Sequence, residues 1–329
     1  MITLACRNYD GTNAILRGVV KVPGLEISLR EMHSVPAMFS GMFKGEFDVS
    51  EMSLAELIYY VSRDKPDFIG IPVFPSRMFR HSFMFYKPSP EISSPADLSG
   101  KRLGFLRWVQ TAAIWMRGIL MEDYGISPER TEWHVAAMHH WDGVDPHATV
   151  EPRNGMVIRK IEVPGKDETE RAYRALSEGR LDALGVTETQ LELLESDNTV
   201  KRLFEKPMEV EADYFRRTRI LPIMHVLVLR KALVKQDPEL PQKLFQLFSE
   251  AKKWAREWKR TIPSMVMAWP NDHLKEEQET FRGDPWAYGL SENRHVLEKF
   301  LTYCDAQGIS ARQISPEELF VQNTWDLRE

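Results

Sequence analysis

The chain has 329 residues, 43% hydrophobic and 28% charged, a globular balance too long for one small core, so two lobes are expected. A formal net charge of −5 with scattered basic residues gives no electrostatic basis for binding nucleic acid, and no apolar run approaches the length needed to cross a bilayer. Two cysteines, Cys6 and Cys304, with no CxxC pair, point away from a disulfide framework and from a thiolate zinc site.

MITLACRNYDGTNAILRG carries neither the basic leader nor the long apolar segment of a secretory signal, so a cytoplasmic protein is expected. Along the first part of the chain ITLACR, LEISLRE, FDVSEMS, FIGIPVFP and HSFMFYK read as strands, short, rich in β-formers and bounded by Gly, Pro or Asp. VPAMFSGMFKG and SLAELIYYVSRD carry helical spacing between them, and this alternation predicts an α/β fold with a mostly parallel sheet. PSPEISSPADLSG, residues 88 to 100, punctuates the chain with three prolines and four serines in thirteen residues. A second α/β run follows: strand KRLGFLRW, helix TAAIWMRGILMEDYG closed by Gly125, then strands WHVAAM, VIRKIEV and LDALGVT. ILPIMHVLVLR is one more strand, and the chain beyond Pro238 reads as helical.

The segment KGEFDVSEMS (44–53) is echoed by EGRLDALGVTE (178–188): a helix ending at Gly, a strand holding an Asp, then hydroxyls and a carboxylate at its C-terminal end. Ligands of open α/β sheets bind at the carboxyl ends of the strands, where helix N-termini present unpaired N–H groups. Ser50, Glu51 and Ser53 are therefore expected on one wall of a cleft and Thr187, Glu188 and Thr189 on the other. Ser53, with Glu56 three residues on, is equally read as the cap of a helix.

EFDVSEMSLAEL, FRHSFMFYK, SPADLSGKRLGFLRWVQTAAIWMRGILMEDYGISP, LPIMHVLVLRKAL and GDPWAYGLSENRHVLEKFLTYCDAQGI together resemble the 4,5-dihydroxyphthalate decarboxylase family, over nearly the whole chain. AAMHHWDGVDPHATVEPRNG (136–155) matches that pattern least. The resemblance implies a type II periplasmic-binding-protein-like α/β fold, with a cleft between two lobes joined by two hinge crossovers. Residues 1–86 and 226–329 would form the first lobe and 87–225 the second, with HSFMFYK and MHVLVLRK as the hinge strands. It also implies an activity: removal of one carboxylate from a dihydroxylated aromatic diacid, giving protocatechuate and carbon dioxide by protonation at the ipso carbon, with no organic cofactor.

Such chemistry needs cationic clamps, a proton donor, a base near the phenol and a site that receives the second carboxylate. Arg7 and Tyr9 in CRNYDG and Arg80 in MFRHS are the candidate substrate contacts, with Arg107 a third cation. His81 and His225 are the candidate proton donors, because histidine titrates near neutrality, and His225 is equally read as a core histidine. Glu51 or Asp10 would serve as base or orient a histidine. Trp108, Gln110 and Thr111 lie where a strand turns into a helix, an anion-receiving position, and Trp108 is suited to stacking on an aromatic ring. Asp284, Trp286 and Tyr288 in RGDPWAYGL are read as a lid or as packing. His139, His140, Asp142, Asp145 and His147 have metal-like composition, but adjacent histidines point apart and the spacing matches no helical i,i+4 pair, so they are read as a polar loop. A divalent ion, if used, is expected there and at Glu188. KKWAREWKR is read as a homo-oligomer interface or as core packing. The alternative is a binding protein or sensor for a small aromatic carboxylate.

Overall fold

The structure, a computed structural model, describes residues 1–139, 150–261 and 269–329. His140, Asp142, Asp145 and His147 of the metal-like segment lie outside them. The chain divides into two compact units: Met1–Arg77 with Phe215–Glu298 and Ile314–Glu329, and Met78–Tyr214 with Lys299–Gln313.

In chain order the first unit opens with β1 (Ile2–Cys6), α1 (Asp10–Leu16), β2 (Ile27–Glu31), α2 (Val35–Lys44), β3 (Val49–Ser53), α3 (Leu54–Val61) and β4 (Phe68–Arg77). β5 (Met84–Tyr86), β6 (Arg102–Arg107), α4 (Thr111–Tyr124), β7 (Glu132–Ala137), β8 (Val157–Lys160), α5 (Glu168–Ser177), β9 (Ala183–Gly185), α6 (Leu191–Glu195), β10 (Lys201–Arg202) and α7 (Pro207–Thr218) follow. The chain then forms β11 (Ile223–Arg230), α8 (Lys231–Gln236), α9 (Leu240–Thr261), α10 (Pro270–Phe281) and α11 (Leu290–Ala306). Every strand expected from an apolar run is present. α5 is the helix expected to end at Gly179, whereas the short α1 and the amphipathic α7 were not anticipated from the sequence.

The first sheet has the order β2-β1-β3-β11-β4, with β1 parallel to β2 and β3 and with β11 antiparallel to β3 and β4. Because β11 runs backwards, its first residues lie beside the last residues of β3, and His225 pairs with Ser53. The second sheet has the order β10-β5-β9-β6-β7-β8, parallel from β9 to β8 and antiparallel through β5 and β10. This pairing explains where the units part. β5, within HSFMFYK, hydrogen-bonds into the second sheet, whereas β11 lies wholly in the first.

The sequence echo is a structural one. α2 closes on Gly45 in the left-handed region, φ 82°, and the turn after α5 uses Gly179 at φ 73°, conformations that favour glycine. Asp48 then accepts the Thr3 backbone N–H at 2.8 Å, and Asp182 accepts that of Arg102 at the same distance. Each aspartate thus secures the start of the neighbouring parallel strand; β3 ends at Ser53, the cap of α3, and two residues past β9 Thr187 caps a short helical turn.

The core of the second unit is built around Trp108, Trp115 and Trp133, all fully buried. Arg117, also fully buried, donates to Gln307 Oε1 and to the Trp108 carbonyl, both at 2.7 Å, with its guanidinium 3.9 Å from the centre of the Trp108 ring. Burial pushes that guanidinium down to about 9. Among the described residues no helix is long and apolar enough to cross a membrane.

Candidate functional site

The first unit gathers its chemistry at the carboxyl edge of its sheet, where the ends of β1, β3 and β4 meet the start of β11. β3 is buried along its whole length and passes into α3 without a loop, Ser53 being both the last strand residue and the helix cap. Alternation along the strand places Glu51 and Ser53 on one face and Ser50 on the other. Ser50 turns its hydroxyl back to the Glu51 carbonyl, 2.9 Å away.

Glu51 is 0% exposed and is the hub of this edge. Its carboxylate accepts the Tyr9 hydroxyl at 2.7 Å, the Arg7 backbone N–H at 3.2 Å and His225 Nδ1 at 2.5 Å. Three donors supply what a buried carboxylate loses with its water. Burial, then the adjacent Glu51 charge, raises the Tyr9 phenol far above its ordinary range, so Tyr9 is a neutral donor. The His225 side chain is 16% exposed, and Phe39 packs edge-on against its ring with centroids 5.3 Å apart. The Arg7 side chain is exposed, its guanidinium 5.7 Å from the centre of the Tyr9 ring. Asp10 is exposed in the first turn of α1.

A second polar group of the same unit surrounds the buried amine of Lys252. It donates to Asp284 Oδ2 at 2.9 Å and to the Trp286 carbonyl at 2.7 Å, and it is paired with Glu329. Asp284 also pairs with Arg256 and accepts the Trp286 backbone N–H. Partial burial would raise the Asp284 carboxyl, but the Lys252 charge and hydrogen bond outweigh it and hold the carboxyl below its ordinary value. RGDPWAYGL is therefore tied into the first unit by ionic contacts, and Tyr288 is fully buried.

In the second unit the carboxyl edge carries Arg80, His81 and Glu188. Arg80 is 3% exposed and pairs through Nη1 with Glu188 Oε1 at 3.2 Å, the Glu188 side chain being half exposed. Burial lowers the Arg80 guanidinium and Glu188 partly opposes this. His81 is buried with its ring 5.2 Å from the rings of both Phe204 and Tyr214. The Ser82 backbone N–H donates to Glu211 Oε1 at 2.9 Å, and burial raises the Glu211 carboxyl despite that bond. Arg107 pairs with Glu168. Trp108 lies in the core with its indole N–H on the Gln307 carbonyl at 3.1 Å, while Gln110 caps α4 and Thr111 is its first residue, both buried.

Arg7, Tyr9, Glu51 and His225 are thus brought together in one unit, and Arg80 and Glu188 in the other. Asp284 and Trp286 belong to the Lys252 group. Ser76 was not singled out from the sequence. It pairs with His225 across β4 and β11, and the only hint of it was the two prolines of FIGIPVFPSR. His139 is buried, and among the described residues no group of three or more His, Cys, Asp or Glu is arranged to hold a metal.

No protein-family model matches the chain. A 4,5-dihydroxyphthalate decarboxylase of Comamonas testosteroni is 29% identical over 321 residues, 97% of this chain and 96% of that protein. The family resemblance holds over nearly the whole chain. A protein of the same name from Pseudomonas putida is 25% identical over 215 residues, 65% of this chain and 81% of its own length. Among solved structures, the periplasmic aliphatic sulphonate binding protein of Escherichia coli superposes with a TM-score of 0.53 at 13% identity, over 98% of this chain and 92% of that one. A sulfonate-binding protein of Methylobacillus flagellatus gives 0.55 at 16%, with 98% and 92% covered. A desulfurization enzyme gives 0.52 at 13%, over 99% of this chain and 97% of its own. The fold is that of the periplasmic solute-binding proteins, and a fold shared by binders and an enzyme does not choose between them.

Proposed function

We propose that this chain is a decarboxylase that takes 4,5-dihydroxyphthalate, or a close aromatic diacid, to the mono-acid and carbon dioxide. The observation that carries the reading is the Glu51–His225 pair at the carboxyl edge of the first sheet, 2.5 Å apart, in a chain that is a near full-length relative of a protein bearing that name. A carboxylate on Nδ1 selects the tautomer with its proton on that nitrogen and leaves Nε2 to exchange protons with a substrate. His225 thereby becomes the preferred proton donor, and His81, enclosed by aromatic rings, a packing residue.

In 4,5-dihydroxyphthalate each hydroxyl lies para to a carboxyl-bearing carbon. Electron density pushed from that oxygen collects at the ipso carbon, which takes the proton from His225 Nε2. The carbon–carbon bond to the carboxylate then breaks, its electron pair restores the aromatic ring, and carbon dioxide leaves. One proton is consumed for each carbon dioxide released, and His225 regains it from solvent. The imidazolium formed in each cycle is stabilised by the buried Glu51 carboxylate. The exposed Arg7 guanidinium is suited to holding the carboxylate that remains. The substrate acts as its own electron source and sink, so the reading calls for no organic cofactor.

The test is turnover by purified protein, following carbon dioxide and the aromatic product together, with a parallel sample treated with EDTA. Equimolar carbon dioxide and protocatechuate, lost in His225→Asn, are expected. Tight binding of the diacid with no product, across a panel of phthalates, would make the protein a binder or sensor instead.

A further inference from the structure

The donors around Glu51 are shared unevenly. Oε1 accepts both the Tyr9 hydroxyl, at 2.7 Å, and His225 Nδ1, at 2.5 Å, whereas Oε2 takes the Arg7 backbone N–H at 3.2 Å. A carboxylate oxygen offers two lone-pair directions, so Tyr9 and His225 fill both, and the group cannot turn without breaking a bond. Tyr9 is itself held at both ends. Its backbone N–H donates to Thr12 Oγ1 at 2.8 Å, the Thr12 hydroxyl donates to the Arg7 carbonyl at 2.7 Å, and its phenol is anchored on Glu51.

Ser76 lies opposite His225 at this edge through an irregularity in the ladder. Across β4 and β11, Ile71 pairs with Leu227 and Ser76 with His225, so β4 spends more residues than its partner over the same span. Pro72 and Pro75 fall in that stretch and have no N–H to give the ladder, which forces the bulge. The bulge sets Ser76 opposite His225, at the same edge as Tyr9 and Glu51.

We infer that Tyr9, held by Thr12 at its backbone, is a positioning residue whose hydroxyl fixes the Glu51 carboxylate on His225 Nδ1 and so sets the orientation and tautomer of the imidazole. The kinetic consequence rests on the decarboxylase reading, while the state of the imidazole can be read without it. Tyr9→Phe keeps the ring and deletes the one hydroxyl that matters.

With 4,5-dihydroxyphthalate as substrate, Tyr9→Phe is expected to lower kcat about tenfold to hundredfold while KM stays within about twofold, because the lost bond is to Glu51 and not to substrate. Independently of turnover, the ring N–H signals of nitrogen-15-labelled histidine are recorded, with the His225 signal identified by its absence in His225→Gln. That signal is expected to move in Tyr9→Phe while those of the other histidines stay. A KM that rises with kcat unchanged would make Tyr9 a substrate contact and overturn the inference, as would a His225 signal that does not move. Should the wild type turn nothing over, the proposed activity fails, and the His225 signal alone still decides the role of Tyr9.

Discussion

At the scale of single residues, the buried Glu51 and the partly exposed Asp284 separate what a carboxylate charge does for chemistry from what it does for folding. Glu51→Gln preserves shape but presents an amide N–H₂ to two donors, so the His225 tautomer is no longer held. Activity should fall by about 10²–10⁴-fold, read from kcat with the phthalate substrate, as when the carboxylate behind a catalytic imidazole is amidated. Asp284 has a folding role. Its folded value lies below the ordinary 3.8, so its stabilising contribution is fully present above that value and is lost as pH falls through the lower folded one. Asp284→Asn should therefore unfold at lower denaturant concentration than wild type at neutral pH, and the two chemical denaturation curves should converge in strong acid. A gap that persisted unchanged there would mean that the contribution of Asp284 is not ionic. Glu51 stood out in the sequence as a carboxylate just ahead of a helix cap. That it would meet His225 was not legible, because the two are 174 residues apart and only the antiparallel placement of β11 beside β3 joins them.

At the scale of elements, local pattern was readable wherever one face is apolar or one glycine is required, as in β3, in α2 with Gly45, and in α4 with Gly125. It failed where the reason lies in another segment. FIGIPVFP reads as a strand, yet the prolines that bulge it to deliver Ser76 show their purpose only against β11. Gly118, inside α4, is a second case: a helix interior disfavours glycine by roughly 1 kcal/mol relative to alanine, so its presence needs a cause. A Cβ at that position would lie well inside van der Waals contact with the ring of Tyr303, which packs flat on the helix there. Gly118→Ala should thus destabilise the protein by about 1–3 kcal/mol in spite of its better helix propensity. In a Tyr303→Ala background the same substitution should be neutral or stabilising. Thermal unfolding of the four proteins of this cycle measures the coupling, and simple additivity would refute the clash.

At the scale of the whole molecule, the decisive property is that neither unit is one stretch of chain. The alternation of strands and helices announced two α/β units. What composition and periodicity could not announce is that Lys299–Gln313, far down the chain, belongs to the unit formed by Met78–Tyr214. Its contributions there are specific. Phe300 stacks on Trp115 with centroids 4.9 Å apart, Tyr303 meets the same indole edge-on, and Gln307 bonds Arg117 and receives the Trp108 indole N–H on its carbonyl. Without that segment two buried tryptophans would face water, and Arg117 would lose the Gln307 side-chain oxygen that its Nε donates to. Stranding a buried charged donor costs more than losing a neutral bond. A fragment of residues 78–214 should accordingly lack a cooperative unfolding transition and show red-shifted tryptophan emission. Joining residues 299–313 to its C-terminus through a flexible linker should restore a transition and shift the emission back to the blue. Gln307→Ala within that linked fragment should lower its midpoint, because the rescue depends on the Arg117 bond and not on added apolar surface alone. If the bare 78–214 fragment already unfolds cooperatively with blue emission, the late segment is an accessory, and the second unit folds from its continuous stretch of chain.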